Sequence, residues 1–102
     1  MKYGEDIQEG DTIEILNQPT SWADHITRFT KVYVHNPMYL LQYPVRGIIL
    51  EKSIFNNPTF TIRKEFYCAL IKIGDKVYGF SFRNKVNYKI INSKNNFNQS
   101  VI

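Results

Sequence analysis

The chain has 102 residues, of which 43% are hydrophobic and 15% aromatic, and its formal net charge is +4. This length suits one domain with a sizeable core, and the aromatic content favours pleated, half-buried surfaces. The single cysteine, Cys68, excludes an internal disulfide and suits a reducing compartment. No apolar run approaches the roughly 18 residues of a membrane-spanning helix, and the acidic N-terminus predicts no signal peptide. We therefore expect a cytoplasmic protein without membrane association.

The charges are divided unevenly along the chain. Residues 1–24 carry one base against six acids, whereas residues 25–102 carry twelve bases against three acids. Such an asymmetry indicates either an anionic partner such as nucleic acid or an acidic segment that folds back over a basic body. The sequence leaves both interpretations open.

A turn followed by an alternating strand opens the chain. Glu9, Gly10 and Asp11 carry the turn signal, and the pattern after it places Ile13 and Ile15 together on one buried face. This opening resembles the start of many SH3-like barrels. The resemblance implies a small antiparallel β-barrel.

Further short strands follow at regular intervals. Strand patterns occupy residues 29–36, 46–55 and 59–63, and a capping pattern predicts one short helix near residues 21–28. The segment 37–44 is bracketed by two prolines, so it is predicted to be a loop or an edge segment. Short strands at this spacing indicate an all-β protein, a small antiparallel barrel that is SH3-like or related.

The clearest local signal is a β-hairpin centred on Gly74-Asp75. Two extended runs flank this pair, which suits a two-residue turn. Pairing of Ile73 with Lys76 places six side chains on one apolar face, which we predict to be core. They are Tyr67, Ala69, Ile71, Tyr78, Phe80 and Phe82. The opposite face, which includes Cys68 and Leu70, is predicted to be half exposed.

The end of the chain is predicted to be a strand followed by a tail. The last strand pattern places Val86, Tyr88 and Ile90 on one packed face. The asparagine-rich segment after it has no periodicity, which is typical of a frayed terminus. We therefore predict a single β-barrel domain over residues 1–92 and a flexible polar tail over residues 93–102.

The patterns expected of a catalytic or metal site are missing from the sequence. His25 and His35 are the only histidines, and neither H-x-x-H nor C-x-x-C spacing occurs. The five glycines are scattered singly, so there is no glycine-rich phosphate loop. We predict a protein that is not an enzyme and that needs no metal or cofactor.

Two candidate binding surfaces remain, and the first is aromatic. It lies in segments that are not predicted to be strands, and its residue types are enriched in the cores of protein interfaces. Its members are Trp22, Arg28, Met38, Tyr39, Leu41 and Tyr43. This surface predicts a protein partner, with the chain acting as an adaptor, accessory subunit or inhibitor of the kind found among phage and mobile-element products.

The second surface is basic and predicts nucleic-acid or anion binding. Cations of a small β-barrel follow the phosphates of a nucleic acid while strand aromatics stack on its bases. The cations are Arg46, Arg63, Lys64, Arg83, Lys85 and Lys89. Nucleic-acid binding is therefore the alternative function. A further alternative is a small anionic ligand such as a nucleotide, held by Arg28, Arg46 or Arg63.

Overall fold

The computed structural model of the chain describes residues 3–20, 36, 38–55 and 65–92. These residues form five strands, which are β1 (Thr12–Ile15), β2 (Val45–Phe55), β3 (Phe66–Ile73), β4 (Lys76–Ser81) and β5 (Tyr88–Asn92). One 3₁₀ helix, Met38–Leu40, precedes β2. Within these described ranges, no helix is long and apolar enough to cross a membrane.

The five strands lie in one antiparallel sheet with the order β4-β3-β2-β1-β5. The all-β class is therefore confirmed. The prediction of a closed barrel is wrong for the described strands, because β4 and β5 occupy opposite ends of the sheet and do not pair with each other. The SH3-like classification stays a prediction.

β2 is long because it pairs with different neighbours along its two halves. Its residues 45–48 pair with β1, and its residues 48–55 pair with β3. The register with β3 slips by one residue at Leu50, which is a bulge that bends the strand and increases its twist. Gly47 lies beside this bend. A Cβ atom at that position would lie 2.6 Å from the carbonyl oxygen of Lys72, so the close approach of β2 to β3 requires glycine.

The predicted hairpin is confirmed in its register and in its core face. Ile73 pairs with Lys76, and Gly74 adopts the positive φ of 65° that the tight turn requires. All six residues of the predicted core face belong to the core or pack against it. The opposite face differs from its prediction, because Cys68 and Leu70 have no exposed surface. Both faces of β3 are therefore covered at these positions.

Aromatic rings connect the two ends of the sheet across the core. The ring of Phe82 lies 5.2 Å from that of Phe80 and 5.7 Å from that of Tyr88, with edge-to-face geometry at both contacts. Val86, Tyr88 and Ile90 all pack with the core, as predicted. Side-chain packing rather than strand pairing thus joins β4 to β5.

Several predicted elements lie outside the described residues. They are the short helix near residues 21–28, the strand at 59–63, the tail at 93–102 and most of the strand at 29–36. Asn36 is described, and it forms a parallel bridge with Tyr78 on β4.

Candidate binding surfaces

The residues before β1, here called the N-terminal segment, are held against the sheet by a lysine of β2. Lys52 on β2 donates from Nζ to three main-chain carbonyl oxygens of this segment. The acceptors are Gly4, Glu5 and Ile7, at 3.3, 3.1 and 2.6 Å. The same ammonium lies 4.4 Å from the centre of the Tyr67 ring, a cation–π distance. The segment is therefore part of the folded structure.

Tyr88 fixes the same segment to β5. Its hydroxyl donates to the carboxylate of Asp6, while its ring packs on Phe82. Burial raises the pKa of Tyr88, and the hydrogen bond to Asp6 raises it further. Tyr88 therefore belongs to the packed structure, as the sequence predicts.

Glu14 lies between two of the cations assigned to the basic surface. It is directly opposite Arg46 on β2 and Lys89 on β5. Its carboxylate lies 2.8 Å from Nε of Arg46 and 3.3 Å from Nζ of Lys89. The hydrogen bond from Arg46, and after it that from Lys89, hold the pKa of Glu14 below its ordinary value against the opposing effect of burial. This contact supports the interpretation in which the acidic segment neutralises part of the basic body.

We expect Glu14→Gln to lower the free energy of unfolding near neutral pH and to have little effect in acid. A carboxyl whose pKa is lowered by folding stabilises the protein above its unfolded pKa, and this contribution is lost as the pH falls through the folded pKa. Urea denaturation of both proteins, from about pH 7 to about pH 2, should show their stabilities converging. A difference that is constant across this range would contradict the assignment.

Two further variants compare how much Arg46 and Lys89 each contribute to the lowered pKa of Glu14. Arg46→Gln should raise the NMR titration midpoint of Glu14 more than Lys89→Gln does, because the bond from Arg46 is the larger cause of the lowered pKa. Equal effects of the two variants would show that the carboxylate has no preferred partner.

The loop of residues 38–43, here called the 38–43 loop, is anchored on one side and exposed on the other. Met38 is only 6% exposed and belongs to the core. The Tyr43 hydroxyl donates to the carbonyl of Met38 at 2.6 Å, and burial raises the pKa of Tyr43 to about 12. Tyr39 and Leu40, in contrast, are 50% and 69% exposed.

The structure therefore divides the predicted aromatic surface. Met38 is a core residue and not a contact residue, and Leu41 and Tyr43 pack partly against the core. Tyr39 remains exposed, whereas Trp22 and Arg28 lie outside the described residues.

The predicted set of contact residues did not include Leu40, which the structure exposes beside Tyr39. In a 3₁₀ helix, side chains three residues apart lie on the same face. Met38 and Leu41 have this spacing and both pack inward, which turns the two residues between them outward. Recognition of a 3₁₀ turn after the proline at residue 37 would have identified the exposed pair.

The basic surface is assembled only in part. Glu14 binds two of its cations, and the exposed Arg83 and Lys85 lie on the connection that leads into β5. Arg63 and Lys64 lie outside the described residues. Of the described cations, Arg46 and Lys89 are thus grouped around Glu14, whereas Arg83 and Lys85 precede β5 in the chain.

A depression of about 650 Å³ lies beside β5. Six consecutive residues, 85–90, form one wall, and the N-terminal segment with Tyr3, Gly4 and Asp6 forms the other. Leu16, just after β1, completes the lining. The sequence pattern did not indicate this depression, because its walls come from opposite ends of the chain.

These surfaces offer aromatic, aliphatic and basic side chains for binding. In the part of the chain that the structure describes, no group of three or more His, Cys, Asp or Glu residues could hold a metal ion. Comparison of the chain with protein-family models, curated proteins and solved structures finds no match.

Proposed function

We propose that the protein is a non-catalytic binding module that associates with another protein through the 38–43 loop. The observation that carries this proposal is the exposure of Tyr39 and Leu40, at 50% and 69%, on a loop whose other apolar and aromatic side chains pack inward. Tyrosine is enriched among the few residues that dominate the affinity of protein interfaces. The module would act as an adaptor, accessory subunit or inhibitor.

The anchoring of the loop supports the same proposal. The main-chain and side-chain nitrogens of Asn36 both donate to the carbonyl of Val77 on β4, at 3.0 Å. Met38 is buried and accepts the Tyr43 hydroxyl, so the loop is held at both of its ends. A contact surface that is already ordered loses little conformational entropy on binding. The exposed pair can therefore bind a partner without a large ordering cost.

The test is capture of a partner from cells that contain the protein naturally, followed by affinity measurement with the purified partner. We expect Tyr39→Ser combined with Leu40→Ser to raise the Kd by about 30-fold or more, equivalent to about 2 kcal/mol. Ile48→Ser is the matched control, since Ile48 is 47% exposed on the outer face of β2. This control should leave the Kd within about twofold of the wild-type value.

The capture is run with and without nuclease so that nucleic acid is distinguished from protein. A partner that remains after nuclease, and whose affinity depends on the exposed pair, supports the proposal. A partner that binds the double variant as tightly as the wild type contradicts it. Recovery of nucleic acid alone also contradicts it.

Nucleic-acid binding is the second candidate, and the exposed Arg83 and Lys85 favour it. Residues 82–98 contain no acid, so this end of the protein is the more positive one. Glu14, however, already binds Arg46 and Lys89, which leaves these two cations less available to phosphates. If phosphates are the ligand, affinity should fall steeply with salt and should decrease on charge reversal at Lys85 for any nucleic-acid sequence.

The remaining proposals concern fold class, ligand and location. The SH3-like or related classification is supported by a sheet in which β1 to β4 follow one another and β5 returns to the free side of β1. A small anionic ligand has less support, because Arg46 binds Glu14, and Arg28 and Arg63 are outside the described residues. A cytoplasmic location is supported by the single cysteine.

A further inference from the structure

The outer edge of β5 presents main-chain hydrogen-bonding groups. The amide of Leu16 donates to the carbonyl of Asn87 at 2.8 Å, which makes these residues a hydrogen-bonded pair in the register of β1 and β5. Hydrogen-bonded and non-hydrogen-bonded pairs alternate along an antiparallel ladder. Tyr88 and Ile90 occupy the non-hydrogen-bonded positions, so their N–H and C=O groups point away from β1. Among the described strands, none pairs with this edge of β5.

The depression beside β5 follows the same edge. Its wall is formed by the consecutive residues 85–90, and its lining includes the partly exposed Tyr3 and Leu16. A strand that pairs with β5 would project every second side chain toward one face of the sheet. Apolar side chains of such a strand would enter the depression, where they would contact Tyr3, Val86 and Leu16.

The charge of this edge defines the chemistry of the partner. Residues 82–92 carry three bases and no acid. The bases are Arg83, Lys85 and Lys89, of which Lys89 binds Glu14. Because Lys89 is already paired with Glu14, the remaining positive charge is that of Arg83 and Lys85, in the loop that enters β5, while the acid Asp6 lies on the other wall of the depression. An incoming strand is therefore favoured if it carries carboxylates near Lys85.

We propose that the outer edge of β5 accepts an extended, acidic segment of a partner protein as an additional strand. The segment hydrogen-bonds to the main chain of Tyr88 and Ile90, places apolar side chains in the depression and places carboxylates beside Lys85. This site is separate from the 38–43 loop, which packs against β4 at the other end of the sheet. Its test therefore succeeds or fails independently of the function proposed above.

The test starts from a displayed library of random 12-residue peptides, selected on the wild-type protein. We expect the selected peptides to alternate apolar residues with Asp or Glu. Ile90→Pro should raise their Kd by about tenfold or more, because proline removes the outward N–H and blocks strand pairing at this edge. Binding should also slow hydrogen exchange at the amides of Tyr88 and Ile90.

A second variant does not disturb packing and keeps the test valid if Ile90→Pro fails to fold. Lys85 is exposed, so Lys85→Glu should preserve the fold and raise the Kd of the selected peptides by about tenfold. Lys76→Glu is the matched control, since Lys76 is exposed at the β3–β4 turn, and it should leave the Kd within about twofold.

Four results would overturn the proposal. They are a selection that yields no peptide, selected peptides without acidic residues, affinities that Lys85→Glu does not change, and amides of Tyr88 and Ile90 that exchange at the same rate with and without peptide. Displacement of the peptides by a single-stranded oligonucleotide that binds more tightly than they do would assign the edge to nucleic acid instead.

Discussion

Gly47→Ala is expected to lower the free energy of unfolding by about 3 kcal/mol. A Cβ atom at this position would lie 2.6 Å from the carbonyl oxygen of Lys72 and 2.7 Å from Cγ1 of Ile71. The first of these atoms belongs to the backbone of β3, which cannot move without disturbing its pairing with β2. The clash therefore acts at the point where β2 changes its partner from β1 to β3.

Gly74→Ala is the matched control, because it tests the cost of a positive φ at alanine without a steric clash of the added Cβ atom. Gly74 has a φ of 65°, and no atom lies within 4 Å of the position of an added Cβ. Alanine there should cost about 1 kcal/mol, from the left-handed backbone alone. Urea denaturation of both variants separates the two effects. Equal losses would show that β2 and β3 can relax around Cβ at residue 47.

Lys52→Met is expected to cost about 2 kcal/mol and to loosen the N-terminal segment. Methionine keeps much of the side-chain length but removes the charged donor that three carbonyl oxygens share. It also removes the cation–π contact with Tyr67. Urea denaturation gives the stability loss, and hydrogen exchange at the amide of Ile7, which donates to Gly4, reports the loosening.

Lys72→Met removes the same charge from an exposed site on β3 and serves as the control. It should change the stability by no more than about 0.5 kcal/mol. If both variants behave alike, the contacts of Lys52 contribute nothing beyond its charge.

The Lys52 variant also distinguishes the two proposed surfaces. The N-terminal segment forms one wall of the depression beside β5, so Lys52→Met should weaken peptide binding at that edge. The 38–43 loop packs on β4 and makes no described contact with Lys52, so binding through Tyr39 and Leu40 should be preserved.

Predictions from local patterns were confirmed where neighbouring residues decide the structure. Alternation placed Ile13 and Ile15 in the core, and the Gly74-Asp75 pair set the register of the β3–β4 hairpin. Both signals act over a few residues, through side-chain alternation in a strand and through the backbone requirements of a tight turn.

Predictions of which residues are exposed were less accurate, because exposure depends on which distant parts of the chain pack over a segment. Met38 lies in a loop, yet it is buried, since the 3₁₀ helix turns it toward the core. Cys68 and Leu70 were expected to be half exposed and are fully covered. The closed barrel was inferred from the number and spacing of strands, which do not show whether the first and last edges meet.

The sequence by itself determined the all-β class, the hairpin and the packed face of the last strand, because turn chemistry and two-residue periodicity are local properties. Only the tertiary structure decided that Glu14 binds Arg46, a residue 32 positions away in the chain. It likewise decided that Lys52 holds the N-terminal segment and that β5 is the last of the described strands on its side of the sheet. These features depend on which strands become neighbours, and burial of the shared core sets that arrangement.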